Sequence, residues 1–81
     1  MNLRTWLNPQ QRELSRAQKR AAKTSTSDLQ DWADLASYSI SRLLSDYRRH
    51  PDSPAILDEA LIGAEAITAA IEELRRRATL R

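Results

Sequence analysis

Three aspartates, Asp28, Asp31 and Asp34, follow one another at intervals of three, a spacing that sets carboxylates along one face of a helix. Carboxylates so arranged can hold Mg²⁺ together with substrate phosphates. The first two are equally the acids that the positive first turn of a helix attracts, so the pattern has a structural explanation. His50 is the single histidine, and it stands at a reversal marked by Pro51 and Pro54, without companions for catalysis or metal ligation. The serines at positions 25, 27, 37, 39, 41 and 45 have no base in sequence reach and no nucleophile-elbow glycines. The Glu-x-x-His pairs of di-iron bundles are missing. The chain has no cysteine, which removes disulfides, thiolate metal sites and cysteine nucleophiles together. The expectation is a protein with no catalytic residues, no metal and no cofactor: not an enzyme, but a chain that works by binding.

Charge is distributed unevenly. The net charge is only +2, yet residues 1–24 carry six basic side chains against Glu13 alone. Arg12, Arg16, Lys19, Arg20 and Lys23 recur at threes and fours, so they share one helical face. Such a face can sit on phosphates and release their counterions. It can also be solvated, bind an acidic protein, or dock on acids of its own fold. Asp28, Asp31 and Asp34, or Asp58, Glu65 and Glu72, are the internal candidates. No aromatic residue is interleaved with the cations to stack on bases, and no helix-turn-helix spacing appears.

The elements that position these residues are helices. One glycine in 81 residues leaves few tight turns, and no alternating β-branched run appears. The first helix begins at Asn8-Pro9, a cap followed by proline at the first helical position, and runs to about Lys23. The second is expected from Ser27, with Ser27 and Gln30 forming a capping box, to about Arg49, closed by Pro51. The third is expected from Ser53-Pro54, with Asp58 and Glu59 near its start and Arg75, Arg76 and Arg77 near its end, in the order of the helix dipole. A basic N-terminal segment, 1–26, therefore precedes a helical hairpin, 27–81. No apolar run approaches a membrane span and no signal-peptide pattern opens the chain, so the expected location is the cytoplasm.

Leu29, Trp32, Ala33, Ala36, Ile40, Leu43, Leu44 and Tyr47 form the apolar stripe of the second helix. Leu57, Ala60, Leu61, Ala64, Ile67, Ile71, Leu74 and Ala78 form that of the third. The short His-Pro-Asp-Ser-Pro link folds these helices into an antiparallel pair. The first helix has only Leu14, Ala17 and Ala21 and is expected to add little to a core. Each buried aliphatic side chain contributes roughly 1.5–3 kcal/mol, while ordering costs on the order of 1.5 kcal/mol per residue. Two such helices are expected to need a partner to complete the core. The fold class is all-α: a hairpin preceded by a short basic helix and dimerising into a bundle. Replacing Leu61 or Ile67 with aspartate is expected to abolish folding or assembly.

Residues off the stripes, or unconstrained by them, become interface candidates: Trp6, Leu7, Tyr38 and Ile62. Trp32 is core or interface, and Gly63 marks a small-residue patch where another helix backbone can come near. Trp6 and Leu7 are expected to latch onto the hairpin, with a membrane-surface contact through Leu3, Trp6 and Leu7 as a secondary property. The leading reading is a helical interaction module, an adaptor, inhibitor or regulator that forms a homodimer or completes its core on a larger protein. Small chains of this style are common in bacteriophage and mobile elements, an analogy of size alone. The alternative is a nucleic-acid-binding regulator using Arg12, Arg16, Lys19, Arg20 and Lys23. No small-molecule substrate is implied.

Overall fold

In a computed structural model the protein is all-α. The structure describes residues 9–80, with side chains from Arg16 onward. Trp6, Leu7 and the Asn8 cap lie outside the described residues, as do the side chains of Arg12 and Leu14. Helix α1 spans Pro9–Ala22, α2 Thr26–Arg49 and α3 Ala55–Thr79. Helices α2 and α3 form the antiparallel hairpin, and α1 packs along α3.

Two caps differ from expectation. Helix α2 is capped by Ser25, whose backbone is extended and whose hydroxyl accepts the Asp28 N–H at 3.1 Å. Ser27 lies inside the first turn. In a run of alternating serines and threonines, Ser25 and Ser27 are both well followed at the third position, by Asp28 and Gln30 respectively. The earlier cap prevails. At α3 the Ser53 hydroxyl makes no cap: Pro54 is already helical (φ −65°, ψ −17°), and the Ser53 carbonyl takes up the Ile56 N–H at 3.2 Å. Both connections turn without glycine, since no described residue has positive φ. That explains how so glycine-poor a chain folds back twice.

The core is small and sits at one end. Ala21, Leu29, Ala69 and Ala70 are buried, with Ala17, Trp32, Ala33 and Leu74 packed around them. This is the open end of the hairpin, where α2 begins, α3 finishes and α1 joins. The expectation that α1 adds little to the core is corrected here. Its alanines carry little apolar area, but their small size lets α1 come close to Ala69 and Ala70, which closes the core over Leu29. Leu29 is the only large side chain fully buried among the described residues.

Toward the closed end, at residues 50–54, only Ala60 is buried. The Cα radius of gyration is 14.4 Å, against about 12 Å for a compact domain of this length. The fold is extended because its third helix covers only one end and one side of the hairpin.

Candidate interaction surfaces

Helix α3 is the middle element, and its circumference divides into three. Gly63 faces α2: a β-carbon there would stand 3.0 Å from Ile40 Cγ1. Gly63 thus looks inward to α2, where the hairpin's own helices approach. Ile62, Glu65, Ala66, Ala69 and Glu73 face α1, lining clefts with its Arg16, Ala17, Gln18 and Arg20. The third side lies roughly 130° round the helix from α1 by the 3.6-residue period. It carries Leu57, Leu61, Ala64, Thr68, Ile71 and Arg75.

That back face is apolar and open. Leu61 is 45% exposed, Leu44 49% and Ile71 54%. Between α2 and α3 it forms a groove of about 420 Å³ lined by Ile40, Leu44, Leu57, Ala60, Leu61 and Ala64. All six were expected in the core stripes. Leu44 and Leu61 are not buried there, because nothing among the described residues packs over this side of the hairpin. The aspartate test at Leu61 therefore changes its meaning: this position reports on assembly, whereas half-buried Ile67 reports on the fold.

The α1 side shows where the cations go. The Arg20 guanidinium lies over the Trp32 ring, 5.5 Å from its centroid. Arg16 and Glu65 line the same cleft, and each is engaged by a neighbour. Gln18 donates to Glu72 at 3.4 Å. Lys19 and Lys23 are exposed. The basic helix is thus set beside the Glu65 and Glu72 row of α3, one of its internal candidates. The aspartates 28, 31 and 34 are exposed along α2. No group of three His, Cys, Asp or Glu side chains able to hold a metal exists among the described residues.

Sequence reading missed the clamp at the open end. Arg77 donates to the Ala21 carbonyl at 3.1 Å, the Thr24 carbonyl at 2.6 Å and the Thr26 hydroxyl at 3.0 Å. Its Nε also donates to Glu73 at 2.8 Å. Glu73, only 9% exposed, accepts from Arg76 as well. Hydrogen bonds from Arg76, then Arg77, hold its carboxyl down at about 2, well below the usual carboxylate range. The signal in the sequence was Glu73 placed three and four residues before two arginines, a spacing that pairs them on a helix. One turn-closing arginine thus ties α3 to the α1–α2 connection.

The remaining interface candidates lie away from the back face. Trp32 packs against the core beneath Arg20. Ile62 is exposed at the edge of the α1 cleft. Tyr38 is exposed on α2, where its hydroxyl accepts from Arg42 at 3.4 Å and that bond raises the Arg42 pKa above its ordinary value. No described helix is long and apolar enough to cross a membrane. Comparison with protein-family models, curated proteins and solved structures gives no match to this chain, so the surfaces are read from their own chemistry.

Proposed function

We infer that this chain is a non-catalytic helical interaction module whose contact surface is the back face of the hairpin. One observation carries the reading: Leu44, Leu61 and Ile71 stand about half exposed on one continuous side, around a groove with an entirely apolar lining. Single exposed leucines are ordinary, but a contiguous apolar patch on a small chain marks a surface that meets another protein. An adaptor, inhibitor or regulator would use such a face to complete its core on what it controls. The basic helix gives the nucleic-acid alternative less support, since Arg20 is stacked on Trp32 and Arg16 is engaged in the cleft beside α1.

Site-specific photo-cross-linking tests the reading. A photoreactive residue at Leu44 or Leu61 is expected to give discrete products in cells. The same residue at exposed Glu59, across α3 from the seam, is expected to give none. Equal or absent labelling at the three positions rejects the back face as the contact surface.

A further inference from the structure

We propose that the back face is covered by a second copy of this chain, with the two α3 helices antiparallel about a two-fold axis. The inference rests on the reading of the back face as the contact surface and names its occupant.

The exposed seam of α3 runs Leu57, Leu61, Ala64, Thr68, Ile71, Arg75, in steps of four, three, four, three and four. This is the a/d spacing of a helix that packs along another helix, on a side turned away from α1 and bordering α2 along the groove. The order of steps reads the same in both directions. A two-fold axis between Ala64 and Thr68 therefore lays each seam residue opposite a seam residue of the other copy. Leu61 meets Ile71 of the second copy, Ala64 meets Thr68, and Leu57 meets Arg75. The exposed aliphatic side chains of the seam, Leu61 and Ile71, pair with each other on both sides of the axis, and the small residues fall at its centre, where the helices approach most closely. Thr68 is suited to that place because its hydroxyl already donates to the Ala64 carbonyl at 2.9 Å, leaving no unsatisfied donor when it is buried.

Charge selects the antiparallel arrangement over the parallel one. A parallel pair stacks Arg75 on Arg75. The antiparallel pair brings Arg75 beside Leu57 and Asp58 of the other copy, twice by symmetry. Asp58 and Arg75 are both exposed, and neither takes part in a salt bridge among the described residues. Stacking two hairpins through this face covers Leu61 and Ile71 of both copies on either side of the axis, where each copy alone leaves them about half exposed.

The chain has no native cysteine, which permits a direct test of register. Variants Leu61→Cys and Ile71→Cys are mixed and oxidised, and the full-length chain is followed by sedimentation velocity across concentration. The expected result is a concentration-dependent dimer and a disulfide joining position 61 of one copy to position 71 of the other. Each variant alone is expected to stay uncrosslinked, since like positions lie about 15 Å apart in this register. Asp58→Arg or Arg75→Asp alone is expected to weaken dimerisation roughly tenfold, and the double exchange to restore it. All four sites are on the exposed seam or beside it, and unchanged helical circular dichroism verifies that the variants fold. A monomer at every concentration overturns the inference, as does crosslinking between like positions. If the chain stays monomeric while Leu61 photo-cross-links to a different protein, the second copy is rejected and the interaction reading stands. If neither product forms, both are rejected.

Discussion

The open and closed ends of the same hairpin are built by opposite means. At the open end the buried residues are mostly alanines, drawn from all three helices and gathered around Leu29, with Arg77 tying α3 to the α1–α2 connection. At the closed end the apolar residues are larger, yet Leu44 and Leu61 remain about half exposed. Burial in this molecule is decided by the presence of a third helix and not by the size of the apolar side chain. Alanines covered on all sides exclude water, whereas leucines on a two-helix ribbon cannot.

The sharpest way to break this contrast is to shorten one leucine at each end. Leu29→Ala empties a fully buried site and is expected to cost about 2–4 kcal/mol, lowering the melting temperature by more than about 10 °C in a domain of this size. Leu61→Ala, measured at concentrations too low for association, is expected to cost under about 1 kcal/mol, because much of its surface is already in water. Equal losses in urea unfolding would show that the two ends are packed alike and that the back face is not an open surface.

Arg77→Met comes next in size. The substitution keeps much of the aliphatic stem but removes the donors to the Ala21 and Thr24 carbonyls, the Thr26 hydroxyl and Glu73. Partly buried acceptors left without donors cost about 1–3 kcal/mol together with the lost bonds. Hydrogen exchange is the discriminating measurement. Amides of α1 and the first turn of α2 should lose protection while those flanking residues 50–54 keep theirs. Uniform loss along the chain would mean that the clamp belongs to one cooperative unit and not to the open end. Arg77→Lys is expected to rescue little, since a single ammonium cannot reach the same fork of acceptors.

The fold was readable because its periodicities are long. Pro9 and Pro51 bound two of the helices, and the dipole-ordered charges of α2 and α3 mark their directions. What could not be read was which side of each stripe would be covered. Leu61 and Ile67 belong to the same threes-and-fours pattern, and only the placement of α1 separates a seam residue from one facing α2. The modest apolar stripe of α1 was misjudged for a related reason. Ala17 and Ala21 matter through how close they allow α1 to come, a property of the pair of surfaces and not of either residue. The Glu73–Arg77 spacing was visible, but its reach to carbonyls more than fifty positions away follows from the tertiary fold alone.

Acid should act on the open end. The folded carboxyl of Glu73 is depressed to about 2 from an ordinary 4.5, so the unfolded chain binds the proton more readily. Its stabilising contribution is present above about pH 4.5 and is lost as the pH falls from there through about 2. Stability followed by urea midpoint should decline over that window, and Glu73→Gln should flatten the decline while lowering stability at neutral pH. A decline of unchanged steepness in the variant would assign the acid sensitivity to other carboxylates.

The smallest expected effect probes the closed end from within. At Gly63 an added β-carbon would lie 3.4 Å from Ile40 Cδ1, an ordinary contact, and 3.0 Å from its Cγ1, tight enough that Ile40 must give by a few tenths of an ångström. In a rigid core such crowding costs about 1–3 kcal/mol. Ile40, however, also lines the open groove, so its side chain has free space to turn into. Replacing glycine with alanine inside a helix contributes about 1 kcal/mol of helix propensity, which offsets the displacement. Gly63→Ala is therefore expected to change monomer stability by less than about 0.5 kcal/mol in either direction. In the associated protein Ile40 would have to turn into the interface, so the same substitution should weaken the dimer while leaving the dilute chain as stable as before. A loss above about 1 kcal/mol in the monomer would mean that the two helices grip each other tightly at the closed end, contrary to the contrast drawn between the two ends.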